Sequence, residues 1–343
     1  MHYLNHGEDN PRNSEGAFIT LSDGRILFTY TRFRGNSWRD NETADLYGII
    51  SEDEGAHWGA PFRMISTPTQ NVMSVSFMRL QSGSIAMLYL QKSVVDEKHV
   101  DCRPMLRTSK DEGRTWSEAR DILGVPPAYY VIHNDRFVRL SNGRLIIPAS
   151  LHRYGGNQGI GLFFLSDDDG TTWRESKGCC YPASWQLAGL MEPGVVELSP
   201  NHLLCWYRTT SRCQYKSWSY DNGETWSEPI PAIEFPSPNA PLSMKRNPAT
   251  GDLIAIWNDT SPLRSVRFDE STLGRTPLVL AKSHDNGVTW EEHQVLEDAP
   301  DHGYAYVAME FISGNRLLLG YCYGGKPTCE CMLQDLCIRT VQL

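Results

Sequence analysis

The sequence predicts an all-β fold, a six-bladed β-propeller spanning residues 1–343 as one domain, and three observations lead there. The first is an octapeptide, Ser-x-Asp-x-Gly-x-x-Trp, written five times: SEDEGAHW (51–58), SKDEGRTW (109–116), SDDDGTTW (166–173), SYDNGETW (219–226) and SHDNGVTW (283–290). The second is its spacing of 53 to 64 residues, the length of a four-stranded blade. The third is that helical periodicity sustained over ten residues is hard to find. Apolar residues instead alternate with polar ones around Gly turns, the period of half-buried strands.

Each unit opens with an alternating run broken by a turn. Unit one has AFITLSDGRILFTYTRF (17–33), unit two FMRLQSGSIAMLYL (77–90), unit three RFVRLSNGRLIIPAS (136–150) and unit four GVVELSPNHLLCWYR (194–208). S-D-G, S-G and N-G turns between such runs mark β-hairpins. A further strand leads into the octapeptide, as in ADLYGIIS (44–51), GLFFLS (161–166) and PLVLAKS (277–283). Unit six, YAYVAMEFISGNRLLLGYCY (304–323) followed by CMLQDLCIRTVQL, has strand pairs without an octapeptide. Six units fill the chain, and the segment before residue 17 is the candidate to supply a closing strand.

The octapeptide makes physical sense as a turn. Its Asp can accept backbone N–H bonds of its own loop, its Gly supplies positive φ, and its Ser ties down the chain. Its Trp buries a large apolar face. Five dispersed copies cannot converge on one substrate, so they are read as structural braces and not as chemistry.

Composition excludes several functions. The net charge of −9, with Lys and Arg scattered, argues against a nucleic-acid partner, which needs a basic face. No apolar run approaches the length of a membrane span, and MHYLNHGEDN carries no secretory pattern, so a cytoplasmic location is expected. The nine cysteines match no paired zinc pattern and read as free thiols in a reducing compartment, and no metal is expected. No HExxH, P-loop or Gly-x-Ser-x-Gly is present. The glycines of YGGNQGIGL (154–162) lack the strand–turn–helix context of a dinucleotide site.

The octapeptide resembles the Asp box of sialidases, and the similarity covers nearly the whole chain. Residues between the boxes carry it further. DNETADLYGIIS sets Asp45 six residues before Ser51, which makes Asp40 resemble the family's general acid/base. HNDRFVRLSNGRLIIP resembles the stretch in which a histidine, here His133, precedes a Gly-Arg-Leu strand and can line the pocket. MEPGVVELSPNHLLCWYR places Glu192 where the family has the carboxylate that activates its nucleophile, and Arg208 where one arginine of its carboxylate-binding triad sits. Glu197 is the competing carboxylate. GRTPLVLAKS makes Arg275 resemble a second triad arginine, with Arg264 and Arg267 nearby, and Arg32 joins the candidate binding set. GYAYVAMEFISG offers Tyr304 and Tyr306 for the tyrosine nucleophile, and Tyr306 is preferred.

Two departures matter. The family's first triad arginine falls on Ser14 in NPRNSEGAFITLSDG, with Arg12 two residues upstream as a substitute on an extended strand. The glutamate that usually braces it is replaced by Tyr321 and Cys322.

The resemblance implies an exo-acting, retaining glycoside hydrolase that releases sialic acid or a related acidic sugar from a glycan, with no cofactor. Planar guanidinium groups bind a sugar carboxylate bidentately. A tyrosine suits an anionic anomeric centre because a phenol is neutral until activated. Glu192 would activate it, and Asp40 would protonate the leaving oxygen, so its pKa should be raised in the bound complex. The alternatives are a glycosidase acting on a uronic-type glycan and a non-catalytic glycan-binding propeller.

Overall fold

A computed structural model describes residues 1–96, 99–123, 128–152, 158–183, 185, 187–261 and 269–343. Every regular element among them is a β-strand. Arg264 and Arg267, and residues 154–157 of the glycine-rich loop, lie outside the described residues.

The strands run as successive antiparallel groups, four of which begin with a strand that carries site residues. The first group pairs Asn13–Thr20, Ile26–Phe33, Ala44–Ser51 and Phe62–Ile65 in order. The second pairs Asn71–Arg79, Ile85–Val94, Val100–Ser109 and Arg120–Asp121. The third is built on Leu145–His152, which pairs with Gly159–Ser166 on one side and with Tyr129–Val131 and Val138–Arg139 on the other. Single parallel pairs, Ala44 with Asn71 and Tyr129 with Cys102, join these three groups into one large sheet. Met191–Ser199 opens the fourth group and Ser243–Arg246 the fifth. In the last, His302–Ile312, Arg316–Gly325 and Leu336–Gln342 pair in order, and His2–Leu4 adds to the final strand.

Burial follows the same order. Separate apolar clusters lie between consecutive groups: Val72, Met87 and Tyr89 pack with Leu27 and Leu46, and Phe137 and Phe164 with Leu88 and Leu106. A further cluster joins the last group to the first, through Leu318, Cys322 and Ile338 against Phe28, Tyr30 and Ile49. Strands that are apolar on both faces are explained by this stacking, since each group is covered on two sides.

The octapeptides are the braces expected. Each of the strands Ala44–Ser51, Val100–Ser109, Gly159–Ser166, Cys213–Ser219 and Leu278–Ser283 ends on the box serine. In the second box, Ser109 Oγ donates to Asp111 Oδ1 (2.8 Å) and accepts from Gly113 N (2.8 Å), and Asp111 accepts from Thr115 N and Oγ1. The first box replaces that threonine by His57, whose Nδ1 lies 2.6 Å from Asp53. The residue before the glycine also has positive φ, 60° at Glu112 ahead of 79° at Gly113, which the glycine alone does not explain. These side chains stitch groups together. Glu112 accepts from Ser22 N, and Glu54 of the first group accepts from Ser313 of the last.

Candidate active site

Four of the opening strands carry a β-bulge at the same relative place, with a non-glycine residue at positive φ: Glu15 (53°), Ser74 (57°), Glu192 (46°) and Tyr306 (60°). A bulge breaks the two-residue alternation and re-aims a side chain, at a cost of about 1–3 kcal/mol for each such backbone. All four re-aimed residues line one cavity of about 310 Å³, together with Asp40, Lys92, His133, Arg208 and Arg275.

Arg208, at the end of the strand His202–Arg208, holds the acid and the phenol together. Its Nη1 donates to Glu192 Oε1 at 2.8 Å and to the Tyr306 hydroxyl at 3.4 Å, while its Nε donates to Asn239 Oδ1 at 2.7 Å. The other Glu192 oxygen is buried without a partner. Arg275 lies over the Tyr306 ring at 5.5 Å and donates to the Asn239 carbonyl at 3.1 Å. The His133 ring also stacks on Tyr306, with centroids 5.2 Å apart. Burial drives the His133 pKa well below its usual value, and Arg136 adds to this, so the imidazole is neutral. Burial and the Glu192 charge push the Tyr306 phenol up to about 12, against the pull of Arg275 and Arg208.

Arg12 solves the first departure in an unforeseen way. Its guanidinium is almost fully buried, stacks over Phe33 at 4.6 Å, and donates to Ser14 Oγ (3.0 Å), Glu15 Oε1 (3.1 Å) and Asp40. Ser14, in the vacated arginine position, lies 3.3 Å from Cys322, in the vacated glutamate position. Arg12 fills this neighbourhood from upstream in the chain, and Glu15 braces it in place of the missing glutamate. It stands directly behind the cavity wall and not in the lining.

Asp40 has a side chain 62% exposed at the rim. Partial burial opposes its charge, yet Arg12, Lys92 and Arg275 hold its carboxyl down to about 2. The raised pKa expected of a proton donor is therefore not a property of the free site.

One candidate is corrected, and three other residues weighed in the sequence lie outside the cavity lining. Arg32 does not line the cavity; its guanidinium stacks on Tyr47 at 4.8 Å. Tyr304 is fully buried and packs on Tyr321 and Tyr323. Glu197 accepts from Ser141 N and Oγ, joining two groups. Asp45 is buried and accepts from Thr67 N and Arg34.

The residues that sequence reasoning missed are Glu15, Lys92 and Asn239. Lys92 is buried, donates to the Asp40 carbonyl at 3.0 Å and lies over the Tyr129 ring. A lone lysine inside the apolar strand Ile85–Val94 was the signal for it. Glu15 offered an acid three residues from an arginine, a helical spacing that only the bulge makes useful in a strand.

Fold and cavity together define an all-β, Asp-box protein with an acidic, arginine-rich and phenolic pocket. Residues 52–315 match the family model described as the BNR repeat-like domain. A sialidase of Bacteroides fragilis is 25% identical over 85% of this chain and 56% of its own length. An anhydrosialidase of Macrobdella decora is 30% identical over 67% of this chain and 31% of its own. The chain thus spans about half or less of the length of these relatives. Among solved structures, a Hadza microbial sialidase superposes with a TM-score of 0.76 at 18% identity, covering 97% of this chain and 66% of that one. A Dyadobacter fermentans protein of unknown function gives 0.79 at 16% identity, covering 100% and 98%. The chain belongs to the BNR-repeat family of the sialidase superfamily.

Proposed function

We propose that this protein is an exo-acting, retaining sialidase built as a single six-bladed β-propeller, with Tyr306 as nucleophile, Glu192 as its activating base and Asp40 as acid/base. The observation that carries the reading is the shared contact of Arg208 Nη1 with Glu192 and with the Tyr306 hydroxyl. A guanidinium beside a phenol stabilises the phenolate, and the unpartnered Glu192 oxygen is an acceptor for its proton. The six-blade reading is supported by the apolar cluster that joins the last group to the first and by the Glu54–Ser313 stitch.

The charge count favours an anionic sugar. In the cavity and directly behind it, Arg12, Lys92, Arg208 and Arg275 face Glu15, Asp40 and Glu192, four cations against three carboxylates. One further negative charge, such as a sugar carboxylate, would balance the set. Arg208 and Arg275 would grip it. An anion drawing on Arg275 and excluding water from the rim would also raise the Asp40 pKa towards that of a donor.

A second reading, a glycosidase for another acidic sugar, is favoured by one observation. Arg12 is committed to Asp40 and Glu15, which leaves a two-arginine grip in the lining. Release of a fluorogenic aglycone from an α-sialoside, set beside a glucuronide, decides between them. Turnover of the sialoside that vanishes in Tyr306→Phe supports the first reading; turnover of the glucuronide alone defeats it. Product analysis would separate free from anhydro sugar, since one relative is named an anhydrosialidase.

A further inference from the structure

We propose that His6, Cys329 and Asp335 form a zinc-binding site that clips the segment before Asn13 to the last strand group. His6 lies between the strands His2–Leu4 and Asn13–Thr20; Cys329 and Asp335 lie between Arg316–Gly325 and Leu336–Gln342. One ligand atom of each stands within 4.8 Å of the other two. His6 Nδ1 is 2.7 Å from Asp335 Oδ1, Cys329 Sγ is 3.3 Å from Asp335 Oδ2, and Sγ and Nδ1 are 4.0 Å apart. Tetrahedral zinc, with bonds of about 2.0–2.3 Å, sets its ligand atoms roughly 3.2–3.7 Å apart. The observed separations, which involve both oxygens of Asp335, fall on either side of that range, so side-chain shifts below about 1 Å would seat the ion.

The donor set selects the metal. A thiolate and an imidazole beside one carboxylate suit zinc, whereas calcium and magnesium take oxygen ligands. Cys329 and Asp335 are buried, and the His6 side chain is 27% exposed, which opens one side to a solvent molecule as fourth ligand. Binding exchanges a proton for a bond: the S–H bond breaks, a zinc–sulfur bond forms, and one proton leaves to solvent. Cysteine spacing did not reveal the site because His6 is 323 residues from Cys329.

The clip would bear on the cavity. Met332 and Leu333 lie between two of its ligands; Met332 Sδ is 3.8 Å from Arg275 Nη1, and Leu333 lines the pocket.

The test uses the untagged full chain, stripped by chelator and dialysed. Titration with cobalt(II) should give a thiolate-to-cobalt charge-transfer band that saturates at one equivalent. Zinc analysis of protein that was never stripped should return about one ion per chain. The band should be lost in Cys329→Ser, and chelator should lower Tm in the native chain but not in that variant. If Cys329→Ser does not fold, His6→Gln serves, with weakened cobalt binding. Absence of the band in the native chain, or its persistence in Cys329→Ser, would overturn the proposal and leave a hydrogen-bonded cluster centred on Asp335.

Discussion

Arg12 donates to the carboxylate of Asp40, so the cation at the back of the cavity and the acid at its rim neutralise each other before any ligand arrives. That pairing separates the free site from the reacting one. It also sets the first measurable consequence.

In the free protein Asp40 should titrate near 2, and Arg12→Gln should move it up towards the ordinary value of about 4. The folded pKa is depressed, so the stabilisation is present above the unfolded value and is lost as pH falls from about 4 through about 2. NMR titration of the side-chain carboxyl checks this. An unchanged midpoint in the variant would show that Arg12 is not what holds Asp40 down.

Glu15→Ala should destabilise by about 3–5 kcal/mol, because it leaves the buried Arg12 guanidinium short of one of its two carboxylates. Urea unfolding provides the readout. A change below about 1 kcal/mol would mean the pair breaks even against its desolvation.

Tyr306→Phe should lower kcat on the hydrolysed sugar by several orders of magnitude while Tm changes little, since the hydroxyl makes one contact of 3.4 Å. Tyr304→Phe should leave kcat within about twofold, because its hydroxyl is buried without a partner and the residue does not line the cavity. Reversed phenotypes would exchange the two roles.

Arg32→Ala should leave KM unchanged and Arg208→Ala should raise KM and depress kcat together, as only the second touches the cavity. Steady-state kinetics on one substrate distinguishes them.

Asp111→Ala should lower Tm without altering KM, because Asp111 ties Ser109 and Thr115 within a brace remote from the pocket. Thermal melts beside kinetics test the separation.

Much of this was legible before folding. The five boxes carry their own geometry: Ser, Asp and Gly close a local turn within eight residues, so the motif determines its structure without tertiary help. Strand alternation likewise foretold the hairpins, counting from the boxes led to Asp40 and Arg275, and the resemblance of the fourth unit to the sialidase pattern led to Glu192 and Arg208. Lys92 and the Glu15 brace escaped because their value lies in partners 52 and 59 residues away, Asp40 and Ser74.

Tyr304 and Tyr306 show where sequence stopped and tertiary structure took over. Two residues apart in a strand, they share a face by alternation, and no spacing argument separates them. The register shift between Ala305 and Ala308, with Tyr306 at a φ of 60°, sends one ring into the cavity and leaves the other packed on Tyr321. The chain by itself determined the repeat, the braces and the stock of acids and arginines. Only the packed fold decided which of them face one another, because a bulge held at positive φ is strained locally and persists only where neighbouring strand groups over-determine it.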